Sequence, residues 1–148
     1  MDEVYDAIVA YLKRPETSPL IVDPITSDVP PIRYENEPFV KPEPPKPWVA
    51  VSLSGIVYGQ ASIGAHEQAD NRWDEAGQLW LPVFVPSGSG SSRARQLAKQ
   101  LANLFRGLTL LDGSLEFMDA FIGTGAPSEE KGSWYELPVS IEWRRIEA

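Results

Sequence analysis

The clearest hydrophobic pattern in the chain is an alternating segment, residues 77–85, followed by a segment with helical spacing, residues 94–105. In the first segment, aliphatic residues occupy one face, and Trp80 and Phe84 lie on the other. Apolar residues on both faces predict a strand that is covered on both sides. Pro82 has no amide hydrogen to give to a ladder, so we expect this strand to lie at a sheet edge or to carry a bulge there.

The second segment carries one continuous apolar stripe, which predicts an amphipathic helix. The residues of the stripe are Ala94, Leu97, Ala98, Leu101, Leu104 and Phe105. Ser91 or Ser92 can accept a hydrogen bond from a free amide of the first turn, which is worth about 1 kcal/mol. Gly107 is placed to end the helix. We therefore expect one long helix whose apolar side packs on the sheet.

The segments before this pair predict further strands and a loop. Residues 48–53 alternate between apolar and small polar side chains, which is typical of a half-buried strand. Residues 55–63 predict a second strand. Residues 64–76 are polar, and we expect a loop or a short helical turn there.

The last third of the chain predicts a hairpin, a loop and a final strand. Residues 108–118 place an Asp-Gly pair at 112–113 between two apolar runs, which is a strong hairpin signal. Residues 121–133 read as a flexible polar loop. Residues 135–143 alternate regularly and predict a strand with one buried face. Pro138 again indicates an edge or a bulge.

The first third of the chain contains a short helix and a proline-rich segment. Residues 3–13 carry apolar side chains at helical spacing. Residues 15–47 contain ten of the 14 prolines, which exclude a long helix or a central strand. This segment is either a disordered linker or an extended arm that lies on its own domain or on a neighbour. The second interpretation explains its apolar side chains, which are Leu20, Ile21, Val22, Ile25, Ile32, Tyr34 and Phe39.

Together these elements predict an α+β fold, with a mostly antiparallel sheet of four to six strands, one long helix packed on it and a short N-terminal helix. A length of 148 residues suits a single domain. Within it we expect an N-terminal helix at 1–14, a proline-rich extended arm at 15–47 and an α+β core at 48–148.

Charge and composition exclude several functional classes. The net charge of −8 argues against a general nucleic-acid binder, which needs a basic surface to displace counterions from phosphate. The absence of cysteine excludes disulfides, thiolate nucleophiles and cysteine-based zinc sites. The acidic N-terminus does not resemble a signal peptide, and no apolar stretch is long enough to span a membrane. We expect a protein made in a cytoplasm, with no membrane partner.

The sequence predicts no catalytic, cofactor or metal site. His66 is the single histidine, and the carboxylates near it show no ligand spacing that would favour a metal or a general base. The loop at 87–92 lacks the Gly-Lys-Ser/Thr ending of a Walker loop. The run Gly88-Ser89-Gly90 lacks the outer glycines of a serine-nucleophile elbow.

Basic residues cluster on the predicted long helix, which is unusual in so acidic a chain. They are Arg93, Arg95, Lys99 and Arg106, and Arg144 and Arg145 follow near the C-terminus. Such a cluster is either a solvated helix face or a contact with the acidic surface of a neighbouring subunit. Trp73, in a polar segment, is the best aromatic candidate for an interface. Phe39 and Trp48 complete the predicted interface.

The order of motifs resembles the tail terminator (tail completion) proteins of long-tailed bacteriophages. After the short helix come YENEPF at 34–39 and PWV at 47–49, then the strand at 77–85, PSGSG at 86–90, the long helix, and YELPVSI at 135–141. The resemblance extends from about residue 30 to the end of the chain.

The resemblance implies a structural virion protein without a cofactor. Such proteins form a hexameric ring at the head-proximal end of the tail tube and stop its polymerisation once the tape measure is covered. The ring then presents a surface to the head-completion or stopper protein. The implied partners are therefore further copies of the chain, the tail tube protein and that stopper. DNA would pass through the channel without specific binding, and assembly would take place in the cytoplasm of a bacterial host.

Three alternatives remain open from the sequence. The first is another neck protein, such as a stopper or a head-tail adaptor. The second is a small enzyme that uses His66. The third is an adaptor whose arm at 15–47 binds a groove on a partner protein.

Overall fold

The computed structural model describes residues 2–60, 73–127 and 134–147. Within these residues the fold is α+β, with helices α1 (Asp2–Leu12) and α2 (Ser92–Phe105) and a short 3-10 turn at Ser18–Leu20. The strands are β1 (Ile32–Arg33), β2 (Trp48–Ala50), β3 (Ser52–Gln60), β4 (Trp73–Trp80), β5 (Val83–Pro86), β6 (Thr109–Leu110), β7 (Leu115–Ile122), β8 (Ala126–Pro127), β9 (Trp134–Leu137) and β10 (Val139–Glu147). The predicted α+β class is confirmed.

The strands form two five-stranded sheets. Sheet A has the order β1-β2-β5-β9-β8, and sheet B has the order β3-β4-β10-β7-β6. All neighbouring strands are antiparallel except β1 and β2, which run parallel. The described residues thus form more strands than the four to six expected, because the chain passes from one sheet to the other five times.

Three of these passages each break one predicted strand in two. The breaks lie at Val51 between β2 and β3, at Leu81 and Pro82 between β4 and β5, and at Pro138 between β9 and β10. The expectation that the two prolines mark an edge or a bulge is wrong, since β4, β5, β9 and β10 all have neighbours on both sides. Pro82 and Pro138 instead lie where the chain leaves one sheet for the other. No ladder hydrogen bond is required there, so the amide hydrogen that proline lacks is not needed.

Hydrogen bonds continue across these corners. The amide of Leu81 donates to the carbonyl of Val139 at 2.8 Å, and the amide of Ala50 donates to the carbonyl of Pro82 at 3.1 Å. The two sheets are therefore coupled through their backbones as well as through the shared core.

Helix α2 packs its predicted apolar stripe into that core. Ala94, Leu97, Ala98, Leu101 and Phe105 are completely buried, and Leu104 is half-buried. Each large apolar side chain buried in this way contributes roughly 1.5–3 kcal/mol relative to exposure. The helix ends as expected, with Gly107 at a φ of 75°. Ser91 is the N-cap residue, but its hydroxyl caps no amide, so the predicted side-chain cap is absent.

The proline-rich arm lies along its own chain. Ile21 is buried in the main core, and β1 pairs with β2. Gln100 on α2 holds the arm at Val22: its side-chain oxygen accepts the Val22 amide at 2.7 Å, and its side-chain nitrogen donates to the Val22 carbonyl at 3.0 Å. These contacts favour the docked arm over the disordered linker. Leu20 and Ile25 remain exposed.

Two predicted loops contain strands, and one predicted hairpin is confirmed. The hairpin joins β6 to β7, with positive φ angles at 111–113. Residues 121–122 belong to β7 and residues 126–127 form β8, whereas residues 128–133 of that predicted loop lie outside the described residues. Residues 73–76 of the other predicted loop begin β4; its remainder, with His66, lies outside the described residues, as does the end of the strand predicted at 55–63.

Candidate interaction surface

The basic residues of α2 divide into two groups. Arg95, Lys99 and Arg106 lie on the solvent-exposed side of the helix. Arg93 instead turns towards the arm, where its side chain is 11% exposed and pairs with Asp23, whose side chain is only 2% exposed. Arg93 is thus part of the chain's own fold, and the surface proposed below does not include it.

The Asp23–Arg93 contact is a two-point ion pair. The Arg93 Nε donates to Asp23 Oδ1 at 2.8 Å, and a terminal guanidinium nitrogen donates to Asp23 Oδ2. Asp23 also accepts the Ile25 amide at 3.1 Å and the Thr26 hydroxyl at 2.8 Å. The Arg93 hydrogen bonds are the largest cause that lowers the pKa of Asp23 from 3.8 to about 2, against the opposing effect of burial.

Trp48 and Phe39 lie in a small aromatic cluster on the outer side of sheet A. Trp48 is fully buried and stacks on Phe84, with ring centroids 4.0 Å apart and planes at 7°. Trp134 packs edge-on against it at 5.9 Å, and the half-buried Phe39 from the arm covers it at 5.1 Å. Trp48 therefore has no exposed surface for a neighbour, whereas Phe39 retains some.

The remaining candidates from the sequence lie at the far end of sheet B. Trp73 is the first residue of β4, and its backbone pairs with those of Gln60 and Glu147. Arg144 pairs with Asp74 at 2.7 Å, and Arg145 pairs with Glu3 on α1. Both arginines are thus engaged within the chain.

The exposed cations of α2 border a groove shared with β7. The groove has a volume of about 370 Å³ and is lined by Lys99, Ala102, Asn103 and Arg106 from the helix and by the last four residues of the strand. Phe121 and Ile122 lie on its strand side and are 50% and 42% exposed. Large apolar side chains that are half-exposed beside two cations are typical of a protein-binding surface.

The strand side of this groove has an open backbone edge. The short strand β6 pairs only with Leu115 and Glu116, and residues 107–108 add hydrogen bonds at Phe117. Beyond Phe117, no strand of the described chain pairs with the outer edge of β7. Unpaired edges of this kind readily add a strand from another chain. We call the groove, its two cations and this edge the α2–β7 surface.

Only half of the α2–β7 surface was predicted from the sequence. Lys99 and Arg106 were named, but Phe121 and Ile122 were assigned to a loop because a glycine-rich polar stretch follows them. The mostly apolar segment from Phe117 to Ile122, in which Asp119 is the one charged residue, carried the missing signal, since it continues the strand of the hairpin without a glycine or a proline.

No group of three or more metal-binding side chains occurs among the described residues. In the same part of the chain, neither helix has the length and apolar character needed to cross a membrane.

Comparison with known proteins gives one family and one fold. A family model described as phage tail terminator protein matches residues 3–143 of the chain. No curated protein matches the chain in sequence. One solved structure, whose name states no function, aligns with 99% of this chain and 95% of its own, with a TM-score of 0.63 and 18% identity. At that identity the likeness supports the fold alone.

Proposed function

The chain belongs to the phage tail terminator family, and from this premise we propose that it closes the head-proximal end of a tail tube as a ring. The family is one of structural proteins, so the chain is a component of the virion tail. In our proposal the ring ends polymerisation of the tube and then forms the joining surface for the head. Its function depends on shape and self-association, without a cofactor or turnover.

The observation that best supports self-association is the α2–β7 surface. It combines half-exposed Phe121 and Ile122, the cations Lys99 and Arg106, and an unpaired strand edge. The unpaired edge and the exposed apolar side chains disfavour a free monomer, because both promote association. A surface that meets a different surface on the next copy produces a ring when the rotation closes. We propose a hexamer, as the family resemblance implies.

The proposed partners follow from the position of the ring. One face contacts the tail tube protein, and the other contacts the head-completion or stopper protein. DNA passes through the channel without specific binding, and the net charge of −8 agrees with this, because an acidic wall does not release counterions from phosphate.

The first experiment measures assembly of the purified chain by sedimentation velocity and electron microscopy, alone and with tail tubes. We expect rings, and we expect the double variant Phe121→Ser/Ile122→Ser to lose them while keeping its circular dichroism spectrum. Leu20→Ser/Ile25→Ser is the matched control, because these residues are equally apolar and exposed but lie on the arm. Rings that persist in the Phe121/Ile122 variant would contradict the role of this surface.

The second experiment locates the protein in the virion. Gold-labelled antibody should bind at the junction of head and tail in intact virions. When heads and tails are separated, the label should stay with the tail. A label that remains with the portal after the tail is removed would favour the alternative of a stopper or head-tail adaptor. A label at the distal tip of the tail would exclude both the proposed terminator and the alternative of a stopper or head-tail adaptor.

A further inference from the structure

A large cleft lies beside the arm, on the outer side of sheet A. It has a volume of about 1090 Å³ and opens between arm residues 33–39 and the corner where β2 passes into β3. Its apolar lining includes Phe84, Ala50 and Pro82. The aromatic cluster under Phe84 is well packed, so the cleft has a firm base that a projecting side chain can contact.

The rim of this cleft is acidic. Glu35, Glu37 and Glu136 line it together with Arg33, and three carboxylates against one guanidinium leave an excess of two negative charges. Glu37 is exposed and Glu136 is half-buried. Glu35 is held in place, since its carboxylate accepts the Leu53 amide at 2.8 Å and its own amide donates to the Tyr5 hydroxyl at 2.8 Å.

The α2–β7 surface has the opposite character. Its groove carries Lys99 and Arg106 against the single carboxylate of Asp119, and Arg95 adds a further exposed cation on the same helix. Its apolar side chains, Phe121 and Ile122, are half-exposed at a strand edge. The chain thus presents a basic surface with exposed apolar groups and, elsewhere, an acidic concave surface with an apolar base.

We propose that the acidic cleft of one copy receives the α2–β7 surface of the next copy. This inference rests on the proposed function and names the two surfaces that meet in the ring. Opposite charge fixes the register and accelerates association. The exposed side chains of Phe121 and Ile122 become buried against the lining of the cleft. Because the two surfaces differ, the contact is head-to-tail, which is the arrangement that closes into a ring.

A charge-exchange experiment tests this pairing directly. Variant one carries Lys99→Glu/Arg106→Glu, and variant two carries Glu37→Lys/Glu136→Lys. Each variant alone brings like charges together at every contact, so we expect each to require at least a tenfold higher concentration than the wild type to assemble. In an equimolar mixture, every contact between the two variants joins opposite charges. The mixture should therefore assemble near the wild-type concentration, with the two variants in equal numbers.

Sedimentation velocity and native mass spectrometry give the readout, with and without tail tubes, so that closure on a template is also detected. Glu16→Lys/Glu43→Lys is the control that matches the net charge of variant two, since both residues are exposed and line neither surface. The control should assemble like the wild type. Glu37→Lys alone replaces variant two if the half-buried Glu136 does not tolerate lysine.

The outcomes separate this inference from the proposed function. Variants that each assemble like the wild type would overturn the pairing while wild-type rings still support the function. Two variants that fail alone and also fail when mixed would show that the surfaces do not face each other. A wild type that forms no ring, with or without tubes, would overturn the function and the pairing together.

Discussion

Replacing Arg93 by methionine should destabilise the protein, because it removes the guanidinium that pairs with Asp23 and holds the arm on α2. Asp23 would stay buried, with only the Ile25 amide and the Thr26 hydroxyl as hydrogen-bond donors. An ion pair that loses one partner in a buried position leaves an uncompensated charge. Methionine keeps most of the apolar stem, so the change tests the charge more than the packing.

The pKa of Asp23 sets the magnitude of this effect. A pKa lowered from 3.8 to about 2 corresponds to roughly 2 kcal/mol of stability. Because the folded-state pKa lies below the unfolded one, this stability is fully present well above pH 4. It is lost as the pH falls towards 2, and roughly half should remain at pH 3. We therefore expect Arg93→Met to cost about 2–4 kcal/mol at pH 7 and clearly less at pH 3.

Urea denaturation at pH 7 and pH 3 measures this loss. Arg95→Met is the matched control, since Arg95 lies on the same helix but is exposed, and its replacement should cost less than about 0.5 kcal/mol. If Arg93→Met and Arg95→Met unfold at the same urea concentration, the ion pair does not hold the arm. A loss that is equal at both pH values would refute the assigned pKa.

Three further changes test other parts of the fold. Gln100→Ala removes both hydrogen bonds to Val22 and should cost about 2 kcal/mol in urea denaturation; a loss below 0.5 kcal/mol would contradict the arm contact. Gly77→Ala places a Cβ on the carbonyl oxygen of Ser54, so we expect a loss of about 3 kcal/mol or failure to fold. A variant with the wild-type melting temperature would show that the register between β3 and β4 is wrong. Phe105→Ala empties a fully buried site and should cost about 3–5 kcal/mol; a cost under 1 kcal/mol would show that α2 does not pack as described.

The elements with a strong local signal were predicted from the sequence. Helix α2 follows from its apolar stripe and the β6–β7 hairpin from its Asp-Gly turn, and the alternation at 135–143 predicts strand structure there, although as one strand where the structure has β9 and β10. In each case the structure depends on a hydrophobic period or a turn that involves residues only a few positions apart in the sequence. The α+β class follows from the same elements.

The features that depend on tertiary structure were not predicted. Pro82 lies at a corner between two sheets, and a local pattern cannot distinguish a corner from an edge. The orientation of Arg93 depends on Asp23, 70 residues away in sequence, and the burial of Trp48 depends on Phe84. Only the helix side of the groove was predicted, because Phe121 and Ile122 on its strand side were assigned to a loop. The assignment of Trp73 to an interface stays a prediction.

The tail length of phage that lack this gene tests the central claim most directly. Electron micrographs of lysates give the length distribution of tails and the fraction attached to filled heads. Our account predicts tails of irregular and excessive length that are not joined to heads, with both defects reversed by the wild-type gene supplied in trans. Tails of normal, uniform length on filled heads would contradict it.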